Sequence, residues 1–150
     1  MPETSKVTLD INKDTRAEDA LFTGKIQTLA VTLYENERPP GALAGILDWH
    51  CFGMISHYLK VGALTGKLGE CSYFPFVRRD QVFNLVFLGA GKAAFSGARL
   101  PISPTVLQTL HSNLLSLRVS RVGLSQADFG NVEPEVLSKQ LKGTSLWIMA

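Results

Sequence analysis

The sequence is poor in the residues that carry most chemistry, and its charges nearly cancel. It holds two cysteines and three histidines in 150 residues. Lysine and arginine total 15 against 13 aspartates and glutamates, a formal charge of +2 at pH 7. That balance excludes a polybasic arm and does not by itself point to nucleic acid. No apolar run reaches the roughly 18 residues that a membrane helix needs. The longest candidate, Leu43 to Leu59, carries Asp48, His50 and His57. No C-x-x-C, H-E-x-x-H or carboxylate cluster occurs, so no structural metal and no cofactor is expected. Met1 to Lys6 runs into Asp10, Lys13, Asp14 and Arg16 without the apolar segment of a secretory signal. A cytoplasmic location is therefore the expectation, with Cys51 and Cys71 as two buried thiols rather than a disulfide.

What is there is the balance of a folded domain. Hydrophobic residues make up 45% and charged ones 19%, and a chain of this size can bury a core without a staple. One domain over residues 1–150 is expected. Val7, Leu9 and Ile11 alternate with polar neighbours and predict a half-buried strand. Residues 12–25 read as a connector with one helical turn around Ala17–Leu21. A second alternating strand lies within Ile26–Tyr34, stopped by Pro39-Pro40-Gly41. Leu43, Leu47, Cys51, Met54 and Tyr58 form one apolar stripe, widened by Ile46, Trp49 and Ile55, which predicts a helix from Leu43 to Lys60 that Gly62 ends.

The second half continues the alternation of strands and helices. Glu70–Phe76 reads as an aromatic-rich strand that Pro75, unable to donate to a ladder, confines to a sheet edge or a strand end. Arg78-Arg79-Asp80 is a polar tip before Val82–Leu88, a strand apolar on both faces. Ser103-Pro104 signals a helix start, with Leu107, Leu110, Leu114 and Leu117 on one face. Val119–Leu124 is a strand, Glu133-Pro134 opens a short helix with Leu137 and Leu141 inward, and Ser145–Met149 is a last apolar strand or a subunit contact. Strands interleaved with helices predict an α/β domain with a mixed sheet and helices on both faces.

No residue set is arranged for catalysis, and no catalytic residue is expected. Gly89-Ala90-Gly91-Lys92-Ala93-Ala94 nominally fits the dinucleotide fingerprint after a strong strand. No helix signal opens there before Ser103, and no acidic residue follows at about twenty positions. A structural turn is the simpler reading, and Gly89, Ala90, Gly91 and Lys92 remain the candidate phosphate or ligand loop. His50 and His57 lie seven apart, too far for one zinc, and read with Lys60 as a polar helix side. His111, on a core-packing helix, reads as a surface or internally satisfied histidine. Cys51 falls on the apolar stripe, and the anion of Glu70 beside Cys71 would raise that thiol's pKa. Asp48 and Glu70 read as isolated carboxylates. Arg78 and Arg79, following Tyr73, Phe74 and Phe76, are the candidate nucleic-acid contact, with an edge-protecting tip as the plainer alternative.

A family resemblance lies in the middle of the chain. Gly45-Ile46-Leu47-Asp48, the run from Ile55 to Glu70 with its Gly62-x-x-x-Gly66-Lys67-x-Gly69 connector, and the Asn84–Leu88 strand ending in Gly89-Ala90-Gly91-Lys92 resemble the leucyl aminopeptidase family. The similar part is that family's N-terminal domain. The resemblance implies a three-layer α/β/α, macro-domain-like fold around a central mixed sheet. It also implies that the catalytic domain and its metal ligands are absent, since nothing here resembles the N-T-D-A-E-G-R motif, so no enzyme is expected. The roles it suggests are self-association or association with a protein partner such as a peptidase, and, in some bacterial members, DNA binding. True macro domains bind ADP-ribose through an asparagine-rich segment, and here that position reads Asn36-Glu37-Arg38-Pro39-Pro40-Gly41. A non-catalytic association domain is thus the leading expectation, and a nucleotide or ADP-ribose-like binding module is the alternative.

Overall fold

Parallel strands need crossovers, and the helical segments supply them. The structure, a computed structural model, describes residues 7–93 and 99–150. The elements in chain order are β1 (Leu9–Asn12), α1 (Ala17–Phe22), β2 (Thr28–Leu33), α2 (Ala42–His50), α3 (Met54–Lys60), β3 (Cys71–Arg78), β4 (Gln81–Gly89), α4 (Pro104–Ser116), β5 (Arg121–Ser125), α5 (Pro134–Gln140) and β6 (Ser145–Met149). The six strands form one sheet in the order β1-β6-β5-β2-β4-β3. Five run parallel, and β3 alone is antiparallel, paired to β4 across a two-residue turn.

Two cores cover the two faces, making the α/β/α layers that the interleaved pattern predicts. Leu29, Val31 and Leu33 of β2 and Phe83, Leu85 and Phe87 of β4 point to one face, against Leu21 of α1, Leu43 and Leu47 of α2, and Ile55 and Leu59 of α3. Ala30, Val86 and Leu88 point to the other, against Leu107, Leu110 and Leu114 of α4 and Leu137 of α5. The expected two-sided burial of residues 82–88 holds from Leu85 to Leu88. The alternating strand expected within Ile26–Tyr34 forms as β2 and is buried at every position. Being central, β2 needs apolar residues on both faces, and Thr28 and Thr32 supply the only polar interruptions.

Other expectations are corrected. β1 does form where Leu9 and Ile11 alternate, but as an edge strand whose apolar side chains stay exposed. The helix expected over Leu43–Lys60 is two helices. Phe52 and Gly53 both take left-handed backbone, with φ of 58° and 79°, and this breaks the axis. Asp48 then bridges the break, accepting from the Ser56 amide at 2.9 Å and from the Ser56 hydroxyl. It is therefore not an isolated carboxylate. Ile46 and Trp49 do not widen the buried stripe; the break leaves both exposed. Leu117 follows the end of α4 and is exposed as well. The start of α4 is as the sequence predicts, with Pro104 in its first turn and the Ser103 hydroxyl accepting from the Val106 amide at 3.3 Å. β6 is a buried last strand, with Leu146, Ile148 and Met149 in the cores. No described helix is long and apolar enough to cross a membrane.

One glycine shows how closely the Gly66–Gly69 turn is laid on the sheet. A Cβ on Gly89 would stand 1.8 Å from the Lys67 carbonyl oxygen, a contact that only backbone movement can relieve. Gly89→Ala is expected to cost about 2–3 kcal/mol, as overpacking does, and to lower the melting temperature by roughly 5–10 °C. A thermal or urea melt that matches the parent would show that this turn does not sit on β4.

Candidate functional site

In an open parallel sheet the crevice for ligands lies at the carboxyl ends of the strands, where neighbouring strands lead to opposite sides. Here that point is between β2, which leads through α2 and α3 to β3 and β4, and β5, which leads through α5 to β6. The pairing of β2 with β5 covers Leu29 and Ala30 opposite Gly123 and Leu124 and goes no further. As the strands part, the Thr32 amide has no β5 carbonyl to meet. A carboxylate oxygen of Asp128, in the loop after β5, accepts from it at 2.9 Å, and the Thr32 hydroxyl donates to the Asp128 carbonyl at 3.2 Å. Asp128 is almost wholly buried, and its Oδ1 has no hydrogen-bond partner among the described residues.

A second layer of polar groups lies on this pair. Arg99 forms a bidentate ion pair with Glu37, at 2.7 and 2.8 Å, and its guanidinium lies 4.6 Å from the centre of the Tyr34 ring. Its Nε is buried without a hydrogen-bond partner among the described residues. The hydrogen bonds to Arg99 hold the Glu37 carboxyl below its ordinary pKa, and the same pairing raises Arg99. Burial pushes Tyr34 up. Burial also pushes Asp128 up to about 6, against the opposing pull of Thr32 hydrogen bonds and the Arg99 charge. Arg38 closes the rim by donating to the carbonyls of Tyr34 and Thr65, both at 2.9 Å.

The Gly89–Lys92 loop stands beside this cluster, at the end of β4, with most of its amides engaged. Gly89 donates to the Glu70 carbonyl at 2.7 Å, Ala90 to Leu33 at 2.9 Å and Gly91 to Gly66 at 2.9 Å. The Ala93 amide donates to the Asn36 side-chain oxygen at 2.7 Å. The loop is thus stitched to its neighbours, and Lys92 is its exposed member. Ala94, the last residue of the fingerprint reading, lies outside the described residues. Arg78 and Arg79 are at the opposite end of β4, eight residues or roughly 26 Å from Gly89 along the strand. Phe74 and Phe76, expected to flank them, pack instead against Tyr58 and Phe83 in the core.

The remaining candidates separate cleanly. His111 donates from Nε2 to the Lys142 carbonyl at 2.8 Å, an internally satisfied ring. His50 packs on Phe22, 5.0 Å between ring centres. Both cysteines are free and only partly buried, so they are neither paired nor fully enclosed. Burial raises each thiol to about 11, which leaves them protonated and poorly nucleophilic at neutral pH. For Cys71 the cause is burial and not Glu70, whose carboxylate accepts from the Thr65 amide at 2.9 Å and from the Thr65 hydroxyl. No group of three or more metal-ligating side chains occurs among the described residues.

The sequence reading missed Asp128, Thr32, Tyr34, Glu37 and Arg99 as a set. Each is unremarked in isolation, and only the parting of β2 from β5 brings them together. A usable signal did exist: Asp128 and Glu37 both follow the ends of parallel strands.

Solved structures share this fold. The macrodomain of Thermus aquaticus DarG superposes with a TM-score of 0.65 at 13% identity, covering 97% of this chain and 99% of that one. The chain has a macro-domain-like fold. A tomato leucine aminopeptidase mutant matches with a TM-score of 0.63 at 14% identity, over all of this chain and 34% of the enzyme. Thermosipho africanus DarTG, in complex with ADP-ribose, matches with a TM-score of 0.62 at 11% identity, over 96% of this chain and 42% of that one. At these identities the likeness is one of fold. No family model and no curated protein matches the sequence.

The two carboxylates of the site should leave opposite marks on stability. Asp128 has a raised folded pKa, so the native state binds its proton more tightly than the unfolded chain does. Stability from this group therefore falls as pH rises from about 4 to about 6, by about 3 kcal/mol over the window. Glu37, with a lowered folded pKa, contributes stability above its ordinary value that is lost as pH falls through the folded one. Urea melts from pH 3.5 to 7.5 should show a flatter profile between pH 4 and 6 in Asp128→Asn than a falling one in the parent. Identical slopes would refute the buried, destabilised carboxylate.

Proposed function

We propose that this protein is a small-ligand-binding module of the nucleotide or ADP-ribose-like class, and that its site is the crevice between the ends of β2, β4 and β5. One observation carries the reading. At the point where strand topology opens a crevice, Arg99 Nε and Asp128 Oδ1 are both buried and both lack partners among the described residues, and buried polar atoms left unpaired are rare outside functional places. Arg99 is the group for a phosphate, exchanging the Glu37 carboxylate for phosphate oxygens in the same forked geometry. Asp128 Oδ1 is the acceptor for a hydroxyl or amine, and Lys92 is a second cation at the rim. The likeness of fold to macrodomains, including a protein solved with ADP-ribose, supports the ligand class.

The reading is one of binding without turnover. Neither thiol is an activated nucleophile, and among the described residues no histidine is hydrogen-bonded to a hydroxyl as a base would be. Association with a peptidase has the tomato enzyme's likeness of fold behind it and no residue-level observation, so the ligand reading is the stronger.

Calorimetry and thermal melts with ADP-ribose and AMP test this directly. A ligand present at 100 times its Kd stabilises the folded state by about 2.7 kcal/mol, which a melt resolves easily. Arg99→Ala is expected to weaken binding at least about tenfold, the effect of losing charged hydrogen bonds. If millimolar ADP-ribose and AMP leave the parent's melting temperature unchanged, the crevice is not a nucleotide site.

A further inference from the structure

The break between α2 and α3 does something that folding alone does not require. Phe52 is a bulky residue in left-handed backbone, at φ 58°, a conformation that costs free energy for any residue with a Cβ. The strain secures no burial, because Phe52 is 95% exposed. Trp49, one helical turn earlier, is 82% exposed, and Val77 on the facing hairpin is 67% exposed. Scattered exposed apolar residues are ordinary, but a cluster holding two aromatic rings marks an interaction surface.

The shape and charge of this surface say what covers it. Beside the protruding rings is a cavity of about 580 Å³ lined by Asp48, Trp49, His50, Phe52, Gly53 and Arg78. A second one, of about 280 Å³, lies against it between Phe52 and the Phe76–Arg79 stretch. Protrusion and hole therefore occur on one patch. So do both signs of charge: Arg79 and Asp80 are exposed at the hairpin turn, and among the described residues neither is in an ion pair. Arg78 is held in place over the Phe22 ring at 4.6 Å. A surface carrying its own knob, its own socket and charges of both signs is self-complementary, which a two-fold symmetric contact demands.

We propose that the Trp49–Phe52–Val77 patch is a homodimer interface. Phe52 of each copy enters the cavity beside Arg78 of the other, and Arg79 of each copy meets Asp80 of the other across the two-fold axis. The buried aromatic pair provides the anchors, and the arginines and aspartates form the rim. This surface is at the opposite end of β4 from the ligand crevice, so the proposal stands or falls independently of the ligand reading.

Sedimentation velocity on the full chain, from low micromolar to several hundred micromolar, is the test. The expected result is a concentration-dependent species of twice the 16.4 kDa chain mass, with Trp49 emission shifting to the blue as it forms. Phe52→Gly is the informative variant, because glycine relaxes the left-handed backbone while removing the ring. It should weaken the dimer by at least about thirtyfold while the dilute monomer melts at or above the parent's temperature. Asp80→Arg should also weaken the dimer, and Asp80→Arg combined with Arg79→Asp should restore it. A chain that stays monomeric throughout overturns the proposal, as does a dimer indifferent to Phe52→Gly. A monomer that instead retains a short oligothymidylate at low salt, with retention lost in Phe52→Gly, assigns the patch to single-stranded nucleic acid and overturns it equally.

Discussion

The parting of β2 from β5 is the constraint from which the upper end of this molecule is built. Two parallel strands that lead to opposite sides of a sheet must stop sharing hydrogen bonds, and each then has backbone groups to satisfy by other means. Here the Thr32 amide takes the Asp128 carboxylate, which is drawn into the protein to reach it. Burial of that carboxylate is costly, and Arg99 offsets part of the cost from above. Arg99 is placed in turn by Glu37 and by the ring of Tyr34. A chain of dependent contacts thus begins with one unpaired strand amide and ends with a cation poised over a crevice.

The other end of the sheet follows a different logic. There the α2–α3 break turns Trp49 and Phe52 outward beside the exposed tip of the β3–β4 hairpin. Asp48 keeps the two short helices in register through Ser56, so the break is a built feature of the chain. Between the two ends, β2 and the Leu85–Leu88 stretch of β4 are buried on both faces and make a stiff spacer. A ligand event at one end and an association event at the other would therefore be separated by rigid structure, with no evident moving part between them.

Likeness to macrodomains and to an aminopeptidase N-terminal region reaches the same fold from two functionally distinct directions. A fold is host to many sites, and the choice between them falls to the residues in the crevice. Those residues are distinctive. The amides of Gly89, Ala90 and Gly91 are used to stitch the loop to its neighbours, so in the proposed function recognition would fall to side chains, chiefly Arg99, Asp128 and Lys92. That is a different division of labour from a glycine loop that cradles phosphate with its backbone.

Local order was readable from the sequence because it depends on neighbours in the chain. The period of two in Leu29–Leu33, the apolar run of Val82–Leu88, the cap at Ser103-Pro104 and the edge or end position that Pro75 allows each needed only nearby residues, and each led to the right element. The α/β/α layering followed from their order. Burial depth did not follow, since β1 and β2 share one alternating pattern and only strand order makes the first an edge and the second the centre. The helix break at Phe52 was hidden because its apolar stripe continues in phase across it. The candidate site was hidden for a deeper reason: Thr32, Tyr34, Glu37, Arg99 and Asp128 span 96 residues between the outermost pair. Local sequence determined which elements form, and tertiary structure decided which distant polar groups meet, because a parting of strands is a property of the sheet and of no single segment.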